Sequence, residues 1–281
     1  MKTFVVTGVS TGIGRKTAED LLAAGFYVFG SVRKESDAAG LTGAFSPLVF
    51  DVTDARAVRL AADRVRAHLG GERLAGLVNN AGIALQAPLL QMSNEDFSRQ
   101  LEINLLGPLI VTKAFAPLLG VEAALHGAPG RVVNVGSTVG KIAPPFMGAY
   151  AASKHGLEAF TDSLRRELGI YGIQVSLIGP GPVDTPIFDK PRPSIAASDF
   201  DAALAKYDAI SNQERSHALK PEQVSRVILK ALTVSRPKTR YAVVPGNFQS
   251  FMLWKVFHLL PKRWVDFLFA RMLGLGRLQR S

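Results

Sequence analysis

Hydrophobic residues along the chain fall into short, nearly continuous runs that are separated by segments of helical period. Seven apolar runs have the pattern of strands covered on both faces and predict β-strands at 3–7, 26–31, 47–50, 74–78, 131–135, 173–178 and 240–244. The segments between them predict helices near 13–24, 54–69, 93–119, 147–170 and 221–233. Alternating strands and helices with buried strands predict an α/β fold, a doubly wound parallel sheet of about seven strands with helices on both faces.

Residues 186–218 interrupt this alternation directly after the sixth strand. They contain three prolines and a polar, helix-forming stretch around 199–212. Open α/β sheets bind ligands beyond the carboxyl ends of their strands, so an insertion at this position predicts a lid over a ligand site. The alternative interpretation is a surface excursion with no role in binding.

A basic, aromatic tail follows the last strand. It divides the chain into a domain of residues 1–246 and a C-terminal helical extension of residues 247–281, in which Pro261 separates two predicted helices, 249–260 and 262–274. One broad arc of the second helix is apolar and comprises Trp264, Val265, Leu268, Phe269, Met272, Leu273 and Leu275, whereas Phe267 lies among the polar residues.

This amphipathic pattern has two interpretations. A basic amphipathic helix with aromatic anchors can lie in a membrane interface, which predicts a peripheral membrane contact through 249–275. Alternatively, the apolar arc packs on the same protein near a pocket mouth, or in a dimer contact, as apolar helical faces usually do. The two interpretations do not exclude each other, because a lipophilic ligand could enter from a membrane beside the tail.

Composition narrows the classes of function. Of the 281 residues, 47% are hydrophobic, which is enough to build one large core. The chain has no cysteine, which excludes a disulfide scaffold, a thiolate metal site and a cysteine nucleophile. Its five histidines are scattered without ligand spacing, so we expect no metal site.

The formal net charge of +10 makes nucleic acid, an anionic membrane or a phosphorylated ligand a candidate partner. No helix-turn-helix, zinc module or aromatic-basic platform supports a nucleic-acid partner. No secretory signal precedes the first strand, and no run of about 18 apolar residues predicts a spanning helix. We therefore expect a cytoplasmic protein, with the tail as its possible membrane contact.

A glycine-rich loop joins the first strand to the first helix. Its glycines are Gly8, Gly12 and Gly14, and Ser10, Thr11 and Ile13 lie between them. Glycines let a pyrophosphate approach the backbone, and the helix amino terminus supplies free N–H groups. The position of this loop, between a first strand and a first helix, predicts a dinucleotide site; the alternative is a tight turn.

The end of the second strand bears on the choice of dinucleotide. A carboxylate there would bind the ribose 2′-hydroxyl of NAD, but the corresponding residue is Val32. Arg33 follows it and can bind a 2′-phosphate through charge-assisted hydrogen bonds. The sequence therefore favours NADP, with NAD possible, unless Arg33 is an ordinary solvated residue.

Four polar residues form a candidate catalytic group. Tyr150 and Lys154 lie one helical turn apart, so that the ammonium can lower the pKa of the phenol. Ser137 ends the fifth strand, where its hydroxyl can hold a substrate carbonyl. Asn104 is a polar residue within a helical segment that otherwise faces the core. Taken singly, each of these has a structural alternative, such as a surface pair or a satisfied buried asparagine.

In this order along residues 1 to about 245, these motifs resemble those of the short-chain dehydrogenase/reductase family. The resemblance rests on the glycine loop, Asp51, Asn79-Asn80-Ala81-Gly82, Asn104, Ser137, Tyr150, Lys154 and Pro180-Gly181-Pro182-Val183-Asp184-Thr185. It implies a Rossmann-type fold and a hydride transfer between a nicotinamide and a carbonyl or alcohol carbon. A basic residue often found inside the family's glycine loop is absent, because Ser10 and Thr11 stand there.

The resemblance also implies roles for individual residues. Tyr150 would be the general acid/base, and Lys154 would lower its pKa and bind the nicotinamide ribose. Ser137 would fix the substrate oxygen, and Asn104 would hold a water of a proton relay. The remaining cofactor contacts would come from Asp51 and Val52 at the adenine, Asn79, Ala81 and Gly82 at the adenosine ribose, and Val183 and Thr185 at the carboxamide, with Pro180 as a further cofactor-binding residue.

The long tail is more similar to the hydroxysteroid and retinol dehydrogenase branch of the family than to its fatty-acid-synthesis reductases. Phe146, Met147, Ile187 and Phe188 would form an apolar pocket wall, which implies a bulky lipophilic alcohol or ketone of steroid, retinoid or acyl type. A homodimer or homotetramer is expected. The alternative function is a non-catalytic dinucleotide sensor or scaffold, which would need the glycine loop but neither Tyr150 nor Ser137.

Overall fold

The computed structural model describes residues 1–189, 199–246 and 259–276. Seven strands form one parallel sheet in the order β3-β2-β1-β4-β5-β6-β7. They are β1 Thr3–Val6, β2 Tyr27–Val32, β3 Phe45–Val49, β4 Gly76–Asn79, β5 Arg131–Val135, β6 Gln174–Pro180 and β7 Arg240–Val243. The predicted strand–helix alternation and parallel sheet are confirmed. The five inner strands are buried over nearly their whole length, whereas the edge strands β3 and β7 are only partly buried.

Eight helices accompany the sheet in the described residues. They are α1 Gly12–Ala23, α2 Ala55–Leu69, α3 Asn94–Leu101, α4 Gly107–Ala116, α5 Gly148–Leu168, α6 Asp201–Arg215, α7 Pro221–Thr233 and α8 Lys262–Leu273. Helices α2, α4 and α5 share one core cluster with the sheet, and α1 and α7 share the other. The helices therefore cover both faces, as the sequence predicts.

The helix predicted at 93–119 is one helical run with a change of winding inside it. A π-helical turn, Glu102–Leu106, separates α3 from α4. Pro108 lies in the first turn of α4 and has no N–H to donate to the carbonyl four residues earlier, at Asn104. The regular hydrogen-bond ladder is thereby interrupted where a polar side chain, Asn104, is buried.

By length and hydropathy alone, the run Asn94–Val121 would suffice to cross a membrane. Half of its most apolar window is buried inside the protein, as in the core helix of a globular domain.

The segments that interrupt the alternation are partly described. The polar stretch predicted around 199–212 forms α6, and the second predicted tail helix forms α8. Residues 190–198 of the predicted lid lie outside the described residues. The first predicted tail helix, 249–260, also lies outside them except for its last two residues.

The strand order reverses between β1 and β4, which are neighbours in the sheet. In open parallel sheets, the connections that leave two such strands run to opposite faces and leave a crevice at their carboxyl ends. The loops after β1, β4 and β5 all open at this edge. The fold therefore brings residues far apart in sequence into one site.

Candidate active site

A cavity of about 440 Å³ opens at the carboxyl ends of β1, β2 and β4. Most of the predicted cofactor-binding residues line it: Gly8, Ser10, Thr11, Gly12, Ile13, Arg33, Asp51, Val52, Ala81, Gly82 and Thr185. Loops that follow different strands supply these residues, as expected for the crevice of a doubly wound sheet.

The glycine loop has the backbone shape that such a cavity requires. Gly8 and Gly12 have φ angles of 72° and 59°, a region that favours glycine. A Cβ on Gly8 would lie 3.0 Å from the Cα of Ala81. Gly14 does not line the cavity; a Cβ there would lie 2.2 Å from the carbonyl oxygen of Gly8. Gly14 therefore lets α1 pack against the loop, and Gly8 and Gly12 shape the cavity floor.

The amino terminus of α1 points its backbone donors at this cavity. Thr11, the residue before the helix, makes no capping hydrogen bond through its side chain, and the first turn contains no acidic residue. Uncapped N–H groups and the positive end of a helix dipole form a site for a phosphate. Together with the close backbone approach at Gly8, the residues present fit a dinucleotide pyrophosphate.

The far end of the cavity is charged. Arg33 is exposed at the end of β2, and its guanidinium makes no hydrogen bond or ion pair with the described residues. Asp37 lines the same end, and the sequence analysis did not single it out. Asp51 accepts hydrogen bonds from the backbone N–H and the hydroxyl of Thr53, at 3.0 and 2.7 Å. Its carboxylate fixes the loop after β3, on which Val52 lies.

Asn79, predicted to line the adenosine ribose, does not line the cavity. Its side chain is buried behind the sheet edge and its amide donates to Thr112 and to Asn134, at 3.0 and 2.9 Å. The next residue, Asn80, lines the cavity instead, and its amide donates to the carbonyl oxygens of Thr7 and Gly8. Alternate residues of an extended chain face opposite sides, so a one-residue difference moves a side chain out of the site.

A second cavity of about 130 Å³ continues from the first, and the two share Ile13, Asn80, Gly82, Thr185 and Ile187. Ser137, Tyr150 and Lys154 line the second cavity, as do Pro180 and Val183 from the loop after β6. The structure thus brings three of the four predicted catalytic residues together in the wall of the second cavity.

Tyr150 and Lys154 are buried, and each is held by contacts with neighbouring residues. Tyr150 lies in the first turn of α5, and its hydroxyl hydrogen-bonds to Ser137. The ring packs edge-on against Phe188, with ring centroids 6.0 Å apart. Lys154 lies one turn later; its Nζ donates to the carbonyl oxygen of Val135 at 2.9 Å and lies 5.7 Å from the centre of the Tyr150 ring.

The pKa of Tyr150 differs from the expectation that Lys154 lowers it. Burial raises the pKa of Tyr150 to about 12, and the hydrogen bond from Ser137 only partly offsets this. Burial also lowers the pKa of Lys154 to about 8, because removal of the ammonium from water disfavours its charged form. At neutral pH the tyrosine therefore carries its proton beside a cationic lysine.

Asn104 occupies the π-helical turn and does not line either cavity. Its Oδ1 accepts from the backbone N–H of Ile83 at 2.9 Å, and its Nδ2 donates to the carbonyl oxygen of Ile83 and to the Ser153 hydroxyl. Ser153 in turn donates to the carbonyl oxygen of Tyr150 at 2.7 Å. Through these contacts, Asn104 fixes the loop after β4 and joins it to the helix that carries Tyr150.

Three of the four predicted substrate-pocket residues line the second cavity: Met147, Ile187 and Phe188. Phe146 does not. It has a positive φ of 69°, which turns its side chain away from Met147 and into a cluster with Leu204 of α6 and Leu273 of α8. Phe146 therefore anchors α6 and the tail helix behind the cavity.

The polar wall of the second cavity was not predicted from the sequence. Gln86 and four residues of α6 line it, namely Tyr207, Ser211, Glu214 and Arg215. Helix α6 lies within the predicted lid, so its position was anticipated. Its inward-facing side chains were not singled out, because a polar helix gives no sign in sequence of which face meets the cavity.

Comparison with known proteins identifies the family. A sequence model of the short chain dehydrogenase family matches residues 2–195. An NADPH-dependent 3-dehydrocapnine reductase of Ornithobacterium rhinotracheale is 37% identical over 96% of this chain and 97% of its own length. Mouse retinol dehydrogenase 5 is 36% identical over 93% of this chain and 85% of its own length.

Solved structures agree with the fold. A short-chain dehydrogenase from Streptomyces avermitilis superposes with a TM-score of 0.76 at 26% identity, over 99% of this chain and 98% of that one. The predicted family resemblance is confirmed: the chain belongs to the short-chain dehydrogenase/reductase family, in the branch that includes the retinol dehydrogenases, and is an NAD(P)-dependent oxidoreductase.

Proposed function

We propose that the protein interconverts a lipophilic ketone and its secondary alcohol with NADP(H) as the hydride carrier. The observation that carries this proposal is that Ser137, Tyr150 and Lys154 together line the smaller cavity, which shares lining residues with the 440 Å³ cavity. The residues of the first cavity would hold the cofactor, and those of the second would hold the carbonyl of the substrate. When bound, the nicotinamide supplies or accepts the hydride.

The chain's own residues hold the substrate and move the proton. The hydroxyls of Ser137 and Tyr150 are hydrogen-bonded to each other and are both available to a carbonyl oxygen in the second cavity. Tyr150 keeps its proton at neutral pH, since its pKa is raised to about 12, and so it can protonate the oxygen during reduction. Lys154 places a positive charge beside that phenol, which stabilises it as the proton leaves.

The proposed cofactor contacts follow the cavity. The amino terminus of α1 would bind the pyrophosphate, and Asp51, Val52, Ala81 and Gly82 would enclose the adenosine. Pro180, Val183 and Thr185 would contact the carboxamide end. The name of the Ornithobacterium relative, an NADPH-dependent reductase, supports NADP, and so does Arg33, which pairs with none of the described residues. NAD remains possible.

Apolar side chains near Tyr150 support a lipophilic substrate. Met147, Ile187 and Phe188 line the second cavity together with Val139. The resemblance to retinol dehydrogenase 5 points the same way. We further propose that helix α6, which belongs to the predicted lid and lines this pocket, helps to cover it, and that the chain works as a homodimer or homotetramer.

The experiment that tests the substrate class compares a long-chain methyl ketone with a short one as substrates for NADPH oxidation. Each buried methylene contributes about 0.8 kcal/mol, so we expect kcat/KM to be at least about tenfold higher for the long-chain ketone. A short ketone that reacts equally well would rule out the lipophilic class and leave the reductase chemistry in place.

We also propose a peripheral membrane contact through the tail helix α8. Leu273 and Leu275 pack against α6, which is the intramolecular alternative for part of the apolar arc. Two of the three aromatic residues of α8 are exposed to solvent: Trp264 is 63% exposed and Phe267 is 57% exposed. Exposed aromatic side chains beside basic residues are typical of helices that bind anionic membrane surfaces.

Vesicle sedimentation tests this contact. The full-length protein should sediment with phosphatidylglycerol vesicles at low salt, less so at high salt, and poorly with phosphatidylcholine vesicles. Trp264→Ser combined with Phe267→Ser should weaken the binding, whereas Leu90→Ser, at a 92% exposed leucine outside the tail, should not. If both variants bound the vesicles equally well, or if the wild type did not bind them, α8 would have only its packing role.

A further inference from the structure

Glu214 is the one carboxylate in the wall of the smaller cavity, within the part of the chain that the structure describes. It lies in the last turn of α6, is half-buried, and shares this cavity with Ser137 and Tyr150. Its side chain makes no hydrogen bond or ion pair with any described residue. Burial raises the pKa of its carboxyl, and no described cation opposes that effect.

The neighbouring polar groups are engaged elsewhere. Arg215, the next residue, pairs with Asp189 at 2.8 Å. Gln86 donates to the Tyr207 hydroxyl at 3.3 Å. These contacts tie α6 to the loops after β6 and β4. Among the described residues, none pairs with the Glu214 carboxylate, which faces a cavity that also contains the apolar side chains of Met147, Ile187 and Phe188.

A carboxylate kept in such a place costs folding free energy unless a partner arrives. Perturbed ionisable groups of this kind concentrate at functional sites. Glu214 takes no part in the proton transfer proposed above, since Ser137 and Tyr150 supply both donors to the carbonyl oxygen. Its position instead suits recognition of a second group on the same substrate molecule.

We propose that Glu214 is a specificity-determining residue that binds an ammonium group of the substrate, so that the preferred substrates are lipophilic amino ketones and the corresponding amino alcohols. The inference rests on the proposed function and names the substrate class of the same site. A cavity of about 130 Å³ spans only a few covalent bonds, which places the amine close to the carbonyl carbon. The apolar chain would lie against Met147, Ile187 and Phe188.

The test uses two ketones of equal chain length, one with a free amine beside the carbonyl and one with that amine acetylated. The wild-type, full-length protein should have a kcat/KM at least about tenfold higher for the free amine, because hydrogen bonds between charged groups are the strong ones. The gain should appear mainly in KM, since the amine does not take part in the chemical step. This comparison does not depend on any variant folding.

Glu214→Gln removes the charge and keeps the shape of the side chain. We expect the ratio of the two kcat/KM values to fall by about tenfold or more, to near one. Glu167→Gln, at an exposed carboxylate of α5 outside the cavity, is the matched control and should keep the wild-type ratio. An unchanged ratio in Glu214→Gln, or a wild type that prefers the acetylated ketone, would overturn the role of Glu214 while reduction itself persists. Failure of the wild type to reduce either ketone would overturn the proposed function as well.

Discussion

Tyr150→Phe should lower the rate of ketone reduction at least about 100-fold and leave NADPH binding nearly unchanged. A positioned general acid contributes roughly this factor or more to a proton transfer. The substitution removes the hydroxyl that hydrogen-bonds to Ser137 but keeps the ring that packs against Phe188, so the cavity wall should persist. Steady-state NADPH oxidation with a reactive ketone, together with fluorescence titration of NADPH, separates the two effects.

Tyr171→Phe is the matched control, because Tyr171 is a partly exposed tyrosine that follows α5 and lies outside both cavities. It should keep wild-type turnover. The sensor or scaffold alternative predicts no role for the hydroxyl of Tyr150, because a protein that only binds the dinucleotide does not use the phenolic proton. Turnover in Tyr150→Phe equal to that of the wild type would therefore remove Tyr150 from the chemistry.

Arg33→Ala should weaken NADPH binding by about 10- to 100-fold and barely change NADH binding. The guanidinium lines the first cavity and has no protein partner among the described residues, so it is available to a 2′-phosphate. Losing hydrogen bonds to a charged group costs roughly 1.5–3 kcal/mol, and about 1.4 kcal/mol corresponds to a factor of ten. Titration of the protein with NADPH and with NADH measures the two dissociation constants directly.

Lys34→Ala provides the control for this substitution. Lys34 is the next residue and is also exposed, but it does not line the cavity. Its replacement by alanine should therefore change the dissociation constants of NADPH and NADH only slightly. Asp37 lies at the same end of the cavity and would repel a phosphate. Equal weakening of NADPH and NADH in Arg33→Ala would show that Arg33 shapes the site without recognising the phosphate.

The fold was predictable because its signals are local and repeated. In the sequence, buried parallel strands appear as short apolar runs such as Val132-Val133-Asn134-Val135, and that run lies within β5 in the structure. The glycine loop was predictable for a related reason, since its strand, turn and helix are contiguous. Lys154 and Tyr150 share a helix face, so their spacing alone brought them together.

What could not be predicted depends on side-chain direction and on contacts across the sequence. Asn79 and Asn80 are adjacent and chemically identical, yet only Asn80 reaches the cavity, because alternate residues face opposite ways. Phe146 lies outside the predicted pocket, and its backbone has a positive φ angle, which phenylalanine rarely adopts. Glu214 reaches the cavity from α6, which packs through Leu204 against Phe146 and Leu273, residues far from it in the sequence. No periodicity in the chain encodes these contacts.

Hydride transfer itself is tested most directly with NADPH that carries deuterium at its transferable position. The full-length protein is incubated with this cofactor and a long-chain ketone, and the alcohol formed is analysed by mass spectrometry. We expect one deuterium on the carbinol carbon of the product, formed far more slowly by Tyr150→Phe. NADPH that binds at the glycine loop while no labelled alcohol forms from any lipophilic ketone would contradict the assignment of this site as a carbonyl reductase.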